Sequence, residues 1–257
     1  MKINIVIRFK VFIFKVIRPL EKIFAYNRMR RDRWLIEQVK DISNGSKVLD
    51  VGAGGCPHKE KFNHCEYFTQ DFVQLSDSQI QNQVGYGKID YVCDILEIPV
   101  PDNSFDVVLC TEVIEHIPEP ISVIKEFSRI LKPGGILLIT APLISGLHQE
   151  PYHFYGGYTK YWYEKFLSEY DFKDLKIESN GSLHTTYFSL GLIIARSFLE
   201  VIIYNKNLFH KLIAFTSFIL FSPFFLILNP IFCFLWESIY QQKGYTGGYH
   251  VSAKKGL

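Results

Sequence analysis

The sequence lacks the marks of a secreted or zinc-ribbon protein. Its five cysteines, at positions 56, 65, 93, 110 and 233, are odd in number and none stands in a C-x-x-C pair. That excludes a disulfide framework and a zinc knuckle, and reads as reduced thiols in a cytosol. No signal peptide is expected, because Lys10 and Lys15 interrupt the first apolar stretch and no small-residue cleavage site follows it. Net charge is scarce, +2 over 257 residues, which excludes a uniformly basic nucleic-acid binder. The glycine loop after the first strand-like run lacks the third glycine of G-x-G-x-x-G, since position 57 is proline. A nicotinamide or flavin site is weakened accordingly. Charge is missing altogether from Leu212 to Trp236, a run of 25 residues.

What is present falls into four zones. Residues 1–33 carry ten Lys/Arg against Glu21 and Asp32, a local charge of +8, so the remainder is acidic by about six. Arg8, Lys15, Arg18 and Lys22 recur at helical spacing and leave Ile, Val and Phe on the other face, the pattern of a basic amphipathic helix at a membrane surface. Residues 34–181 alternate strand-like and helix-like segments, which argues an α/β fold, a doubly wound, mostly parallel sheet. In "PEPISVIKEFSRILKPGG" a helix is expected, with Ile121, Ile124, Phe127, Ser128 and Leu131 as its apolar stripe and Pro133-Gly134-Gly135 as its stop. Residues 182–243 are an apolar insertion. Its charge-free run is long enough for a membrane, but Pro223 and Pro230 are expected to divide it into short pieces. Residues 244–257 read as a last strand. If that strand rejoins the sheet, both ends of the insertion lie on one side of a membrane, which leaves a re-entrant or interfacial hairpin, or a hydrophobic lid or dimer face.

The chemistry begins at "VLDVGAGG". A strand running into Asp50 and a Gly-rich turn brings backbone close to a ligand. Asp71 closes the second strand, where a carboxylate takes ribose hydroxyls. Asp94 closes the third, placed for an adenine amino group, although an Asp at a strand end is also a common turn cap. Together these describe a nucleoside site without a phosphate clamp.

Segments "VLDVGAGG", "YFTQDF", "CDILEIPVPDNSFDVVLCTEVIEHIPEP" and "EFSRILKPGGILLITAP" resemble, in order and spacing, the class I S-adenosylmethionine-dependent methyltransferases of the type 11 group, related to the ubiquinone-pathway enzymes. The resemblance implies a Rossmann-like, seven-stranded sheet whose last strand is antiparallel, and S-adenosyl-L-methionine as cofactor. It implies a cofactor-binding set of Asp50, Gly52, Ala53, Gly54, Asp71, Phe72, Asp94, Ile95 and Thr111. The family's third loop glycine is Cys56 here.

On the acceptor side, "CTEVIEHIPEP" follows the fourth strand, so Glu112, Glu115 and His116 should face the ligand crevice at the carboxyl ends of the strands. Their spacing would put all three on one face of a helical turn. His116 suits a general base. The E-x-x-E-H pattern also resembles metal-dependent small-RNA and ubiquinone-pathway methyltransferases, implying a divalent metal such as Mg held by Glu112, Glu115, His116 and His153, with His148 second. A third reading has the two acids solvating a turn while His116 packs. The aromatic-rich stretch from Tyr152 to Tyr163 lines an acceptor pocket or starts a packed helix.

The expected function is methyl transfer to an oxygen of a small-molecule, lipid-linked or envelope-saccharide acceptor by a cytoplasmic protein, peripheral or monotopic at the inner membrane. A quinone-like aromatic acceptor is the alternative and a small RNA the third, disfavoured because no basic surface extends beyond residue 33. From another class, the chain would be a membrane-associated scaffold that keeps the nucleoside pocket without catalysis.

Overall fold

The computed structural model describes residues 26–80, 85–240 and 244–257. Most of the expected basic amphipathic segment, residues 1–25, lies outside the described residues, Pro19 included. The described residues divide into two compact units, Arg31–Asn180 with Gly248–Leu257, and a second that holds Gly181–Gly247.

The first unit is a seven-stranded sheet in the order β3-β2-β1-β4-β5-β7-β6. Its strands are β1 (Lys47–Val51), β2 (Glu66–Asp71), β3 (Tyr91–Val92), β4 (Phe105–Thr111), β5 (Leu131–Pro142), β6 (Phe172–Ser179) and β7 (Gly248–Lys255). Strands β1 to β5 pair in parallel, and β7 is antiparallel to both β5 and β6. The expected doubly wound sheet with an antiparallel last strand is the observed one.

The central strands are apolar on both faces because each alternate residue enters a different core. Leu49, Val51, Val108, Cys110, Leu137 and Ile139 join one cluster; Val48, Val107, Leu109 and Leu138 join the other. Burial on both faces is what parallel strands covered by helices require. Helix α1 (Tyr26–Val39) contributes Trp34, Leu35 and Val39 to the second cluster, whereas α2 (Pro120–Ile130) and α3 (Lys160–Glu169) pack Phe127, Tyr163 and Leu167 into the first.

Two local expectations need correction. The stripe of α2 is Val123, Ile124, Phe127 and Ile130, and Ile121 is exposed. Pro120 occupies the first turn. Pro133-Gly134-Gly135 does not stop the helix. The helix ends at Ile130, and these residues lie within β5, where the register jumps from Phe105↔Leu131 to Val107↔Ile136. A Cβ on Gly135 would sit 2.8 Å from the Lys132 carbonyl oxygen, so the irregularity demands glycine. Arg129 fastens the end of α2 by donating to Glu126, Asp102 and the carbonyls of Ile98 and Val100.

The second unit is helical. Helix α4 (Leu183–Tyr204) starts in a capping box formed by Ser182 and Thr185, and α5 (Leu208–Pro223) starts on the Asn207 side chain. Neither Pro223 nor Pro230 divides the apolar run. A π-helical stretch, Phe224–Leu228, joins α5 to α6 (Asn229–Ile239), giving one helix of 32 residues. A wider turn absorbs the hydrogen bond that Pro223 and Pro230 cannot donate.

Candidate functional site

The strand-to-loop turn after β1 is built on left-handed backbone at Gly52 (φ +67°) and Gly54 (φ +51°). Gly52 is obligatory for packing: a Cβ there would lie 2.4 Å from Val113 Cγ2. At Gly54 a Cβ would have only Ile80 Cγ2 near it, at 3.7 Å, so this backbone stands clear for a ligand. Cys56 replaces the third glycine and still adopts φ +55°. Space for its side chain comes from Gly87, where a Cβ would fall 2.5 Å from Cys56 Sγ. The lost glycine is thus compensated across the loop.

The end of β2 holds this loop in place. Gly54 N–H donates to Asp71 Oδ2 at 2.9 Å and Val73 N–H to Asp71 Oδ1 at 3.0 Å. Ala53 N–H donates to the Gln70 carbonyl at 3.0 Å. The Gln70 side chain accepts from Gly52 N–H at 3.3 Å and donates to the Cys93 carbonyl at 2.7 Å, tying the loop to the segment after β3. Asp50 is buried and accepts a hydrogen bond from the Tyr67 hydroxyl. Burial pushes its carboxyl up to about 7, against the Tyr67 bond and with help from the charge of Asp71.

Other members of the expected set are placed less directly. Phe72 meets the Tyr152 ring edge-on, with centroids 5.2 Å apart. Asp94 is exposed and its Oδ1 accepts from Leu96 N–H at 2.9 Å, the turn-capping geometry. Ile95 is a core residue, 5% exposed. Thr111 Oγ1 lies 3.2 Å from His58 Nε2. Burial, with Arg31 and Lys61 nearby, drives His58 down to about 3, so it is neutral.

The acceptor side departs from the expected helical face. Strand β4 is followed by Glu112 at φ +55°, and only Ile114–His116 form a single 3-10 turn. The left-handed residue turns Glu112 away from the other two. Its carboxylate accepts from Thr140 Oγ1 at 2.9 Å and lies 3.5 Å from the guanidinium of Arg31, a buried side chain on α1. Glu115 is 1% exposed and its Oε2 has no protein partner. Burial first, and then the charge of Glu112, raise its carboxyl well above the ordinary range.

His116 Nδ1 lies 2.6 Å from the Tyr152 carbonyl oxygen and Nε2 lies 3.8 Å from Glu115 Oε1. The ring must therefore carry its proton on Nδ1, leaving a lone pair on Nε2. Burial lowers His116 to about 4, opposed by that carbonyl and assisted by His148 and His153. The rings of His148 and His153 lie 4.8 and 5.6 Å from that of His116.

One ligand atom each from Glu115, His116 and His148 fall within 4.8 Å of one another. The expected quartet is corrected in this respect: Glu112 is committed to Thr140 and Arg31, and His153 contacts Ser145 Oγ at 3.5 Å outside the trio. One carboxylate and two imidazoles suit a borderline transition metal better than Mg, which prefers six oxygens.

The loop carrying these histidines is held from below and from across the crevice. Phe154 and Tyr155 N–H groups donate to the Glu115 carbonyl at 3.0 and 3.1 Å. Gln79 Nε2 donates to the Glu150 carbonyl and Gln149 Nε2 to the Gln79 carbonyl, joining the loops after β2 and β5. Gln70, Tyr67, His58 and Arg31 escaped the sequence reading. Gln70 adjoined a recognised acid but has an unremarkable residue type, and Arg31 was hidden within the basic run.

Comparison with known proteins fits this geometry. Residues 49–139 match the family described as "Methyltransferase domain". A sterol 24-C-methyltransferase of Aspergillus fumigatus is 36% identical over 118 residues, 42% of this chain and 30% of that one. A ubiquinone biosynthesis O-methyltransferase of Idiomarina loihiensis is 35% identical over 124 residues, 46% of this chain and 49% of that one. The chain thus matches less than half the length of either relative. Among solved structures, phosphoethanolamine N-methyltransferase 2 of Haemonchus contortus shares the fold, with a TM-score of 0.51 at 15% identity over 88% of this chain and 52% of that one. Sheet order and glycine loop are those of the Rossmann-like methyltransferase fold, and residues 49–139 match a methyltransferase domain. The family match spans residues 49–139, and the similarity to the sterol and ubiquinone-pathway relatives runs over 118 and 124 residues.

Proposed function

We propose that this chain transfers a methyl group from S-adenosylmethionine to an oxygen of a lipid-linked or envelope-saccharide acceptor at the inner face of a membrane. The observation that carries it is the placement of His116 Nε2. Its lone pair is set by the Tyr152 carbonyl on the turn after β4, and Val113 of the same segment fills the notch at Gly52. A hydroxyl acceptor must lose a proton as the oxygen is alkylated, and an imidazole fixed in one tautomer is suited to take it.

S-Adenosylmethionine supplies an electrophilic methyl on a sulfonium. The residues present suit it. The clear backbone at Gly54, with Gly52, Ala53 and Asp50, faces its methionine part, and the buried Arg31 guanidinium, whose Nε has no protein partner, offers a cation for a carboxylate. Asp71, with each oxygen occupied once by a backbone N–H, retains lone pairs for ribose hydroxyls. Asp94 and Phe72 serve the adenosine end, Ile95 supports it from the core, and Thr111 closes the floor. As the alternative to general-base work, the same His116 Nε2 lone pair would, with Glu115 and His148, hold a transition metal, which would polarise the acceptor oxygen.

A quinone-like aromatic acceptor is the second reading. Tyr155, Tyr158 and Trp162 form a ring cluster, with centroids 5.6 and 4.7 Å apart, beside the His116 turn, and one relative is a ubiquinone biosynthesis O-methyltransferase.

Calorimetry with S-adenosylmethionine on the folded chain tests the reaction class, with binding expected and its absence overturning the reading. Mass spectrometry of membrane extracts, with wild type against His116→Gln, tests the acceptor. A 14-dalton increment on a lipid-linked species supports the first reading and one on a free aromatic the second.

A further inference from the structure

The helical unit is packed inside out. Its buried positions are mostly small or polar, Thr185, Gly191, Ala195, Ala214, Ser222, Asn229 and Cys233, with Phe188 and Leu192 as the large apolar exceptions. Most of its large apolar side chains point outward: Ile193 is 62% exposed, Leu220 67%, Phe232 55% and Leu235 62%. A water-soluble helical unit shows the reverse distribution, with large apolar residues inside. Small residues inside and bulky ones outside are what helices adopt where the surrounding medium is itself apolar.

The seam between the helices has the same character. Asn229, at the start of α6, is 1% exposed, and its Oδ1 accepts from Cys233 Sγ at 3.1 Å. Gly191 admits it: a Cβ on that residue would lie 2.6 Å from Asn229 Nδ2 and 3.2 Å from Phe225. A glycine that lets a buried amide lie against a neighbouring helix is a membrane-type contact, in which an intrahelical or interhelical bond replaces water.

Along α5 and α6 the charges are confined to the two ends, with Lys206 and Lys211 at the α4–α5 turn, while on α4 the exposed Arg196–Glu200 ion pair lies in the second half of the helix. At the opposite end Glu237 accepts from the Ser182 hydroxyl. Between Lys211 and Glu237 no charge interrupts α5 and α6. Those charge-free residues extend roughly 37 Å as helix, at least the thickness of a hydrocarbon layer of about 30 Å.

We propose that the outward face of α4, α5 and α6 is seated in the hydrocarbon of a lipid bilayer, with the Gly191–Asn229 seam as its internal contact. This deepens the membrane location in the proposed function, and identifies the hairpin as the gripping element. A second copy of the chain fits less well, because the large exposed apolar residues are spread over all three helices, Ile193, Leu220 and Phe232 among them. The hairpin holds by burial of its side chains, so salt does not release it, unlike a basic segment on anionic headgroups.

The test uses the full chain and vesicles of neutral phosphatidylcholine, to which a basic segment contributes little. The chain is expected to float with the vesicles in 1 M salt, a condition chosen so that the Debye length is about 3 Å. Brominated acyl chains should quench part of the tryptophan emission, and that part should vanish in Trp236→Phe. Leu220→Glu and Phe232→Glu, both at exposed positions, should lose flotation while still binding S-adenosylmethionine in calorimetry. Flotation without quenching of Trp236 would show that another segment anchors the chain and overturns the proposal. A monodisperse dimer in detergent-free buffer that does not float would assign the face to a second copy and overturns it too. Loss of cofactor binding with flotation intact would instead sink the methyltransferase reading alone.

Discussion

The Tyr152 carbonyl oxygen lies 2.6 Å from His116 Nδ1 and so decides which nitrogen of that histidine is free. The contact is made by backbone from the loop after β5, thirty-six residues along the chain. Substituting Tyr152 should leave the tautomer intact, whereas His116→Gln should reduce turnover by about 10²–10⁴-fold with little change in cofactor affinity. Because His116 is lowered to about 4, the base stays unprotonated through the usual histidine range. A pH–rate profile should therefore show no loss of activity from this group between pH 7 and 5, and a loss only as pH falls through about 4.

Asp50 predicts an opposite pH dependence, in stability. Its folded carboxyl is raised to about 7 from 3.8, so between those values the folded chain holds a proton that the unfolded chain has lost. That contribution is complete below pH 3.8 and disappears as pH rises through 7. Asp50→Asn, which keeps an acceptor for Tyr67, should raise the melting temperature more at pH 8 than at pH 5. Equal shifts at the two pH values would refute the assignment.

Gly52 and Val113 form a testable steric pair. Gly52→Ala sets a Cβ 2.4 Å from Val113 Cγ2 and forces a non-glycine residue to φ +67°. A loss of about 1–3 kcal/mol is expected in denaturant titration. Adding Val113→Ala should recover part of it, the steric part, and leave the backbone part.

The two strand-end acids should separate clearly. Asp71→Ala removes the acceptor of both Gly54 and Val73 N–H groups, so calorimetry should find cofactor binding weakened by at least tenfold. Asp94→Ala frees only the Leu96 N–H at an exposed turn and should cost much less.

A metal titration separates the observed trio from the expected quartet. Calorimetry with Zn²⁺ should show affinity reduced 10- to 100-fold by His148→Ala and little changed by Glu112→Gln, whose carboxylate is held by Thr140 and Arg31. The reverse order would restore the sequence-based ligand set.

Legibility in the sequence followed the range of the interactions. The alternation of "VLDVG" and "FDVVLC" announced buried parallel strands, because a strand's period is local and both faces are covered. The glycine loop and the acids at positions 50 and 71 were visible for the same reason, each lying at the end of a recognisable strand. The i, i+3, i+4 spacing of Glu112, Glu115 and His116 misled, since it presumed a helix beginning one residue after β4. The left-handed backbone at Glu112 delays the turn to Ile114, and no residue type in that stretch signals it. Pro223 and Pro230 misled in the other direction, because a π-helical stretch absorbs them.

By itself, then, the sequence determined the alternation of strands and helices of an α/β sheet, its glycine-rich loop and the existence of an apolar insertion, all matters of local period and short motif. Tertiary structure decided the rest. Asp71 holds the loop by backbone hydrogen bonds, Gln70 ties it to the next strand, and Arg31 with Thr140 withdraws Glu112 from the histidines. His148 lies against His116 because the loop after β5 folds back onto the Glu115 carbonyl. Those contacts join residues far apart in the chain, and their cost and gain depend on burial, which no local pattern encodes.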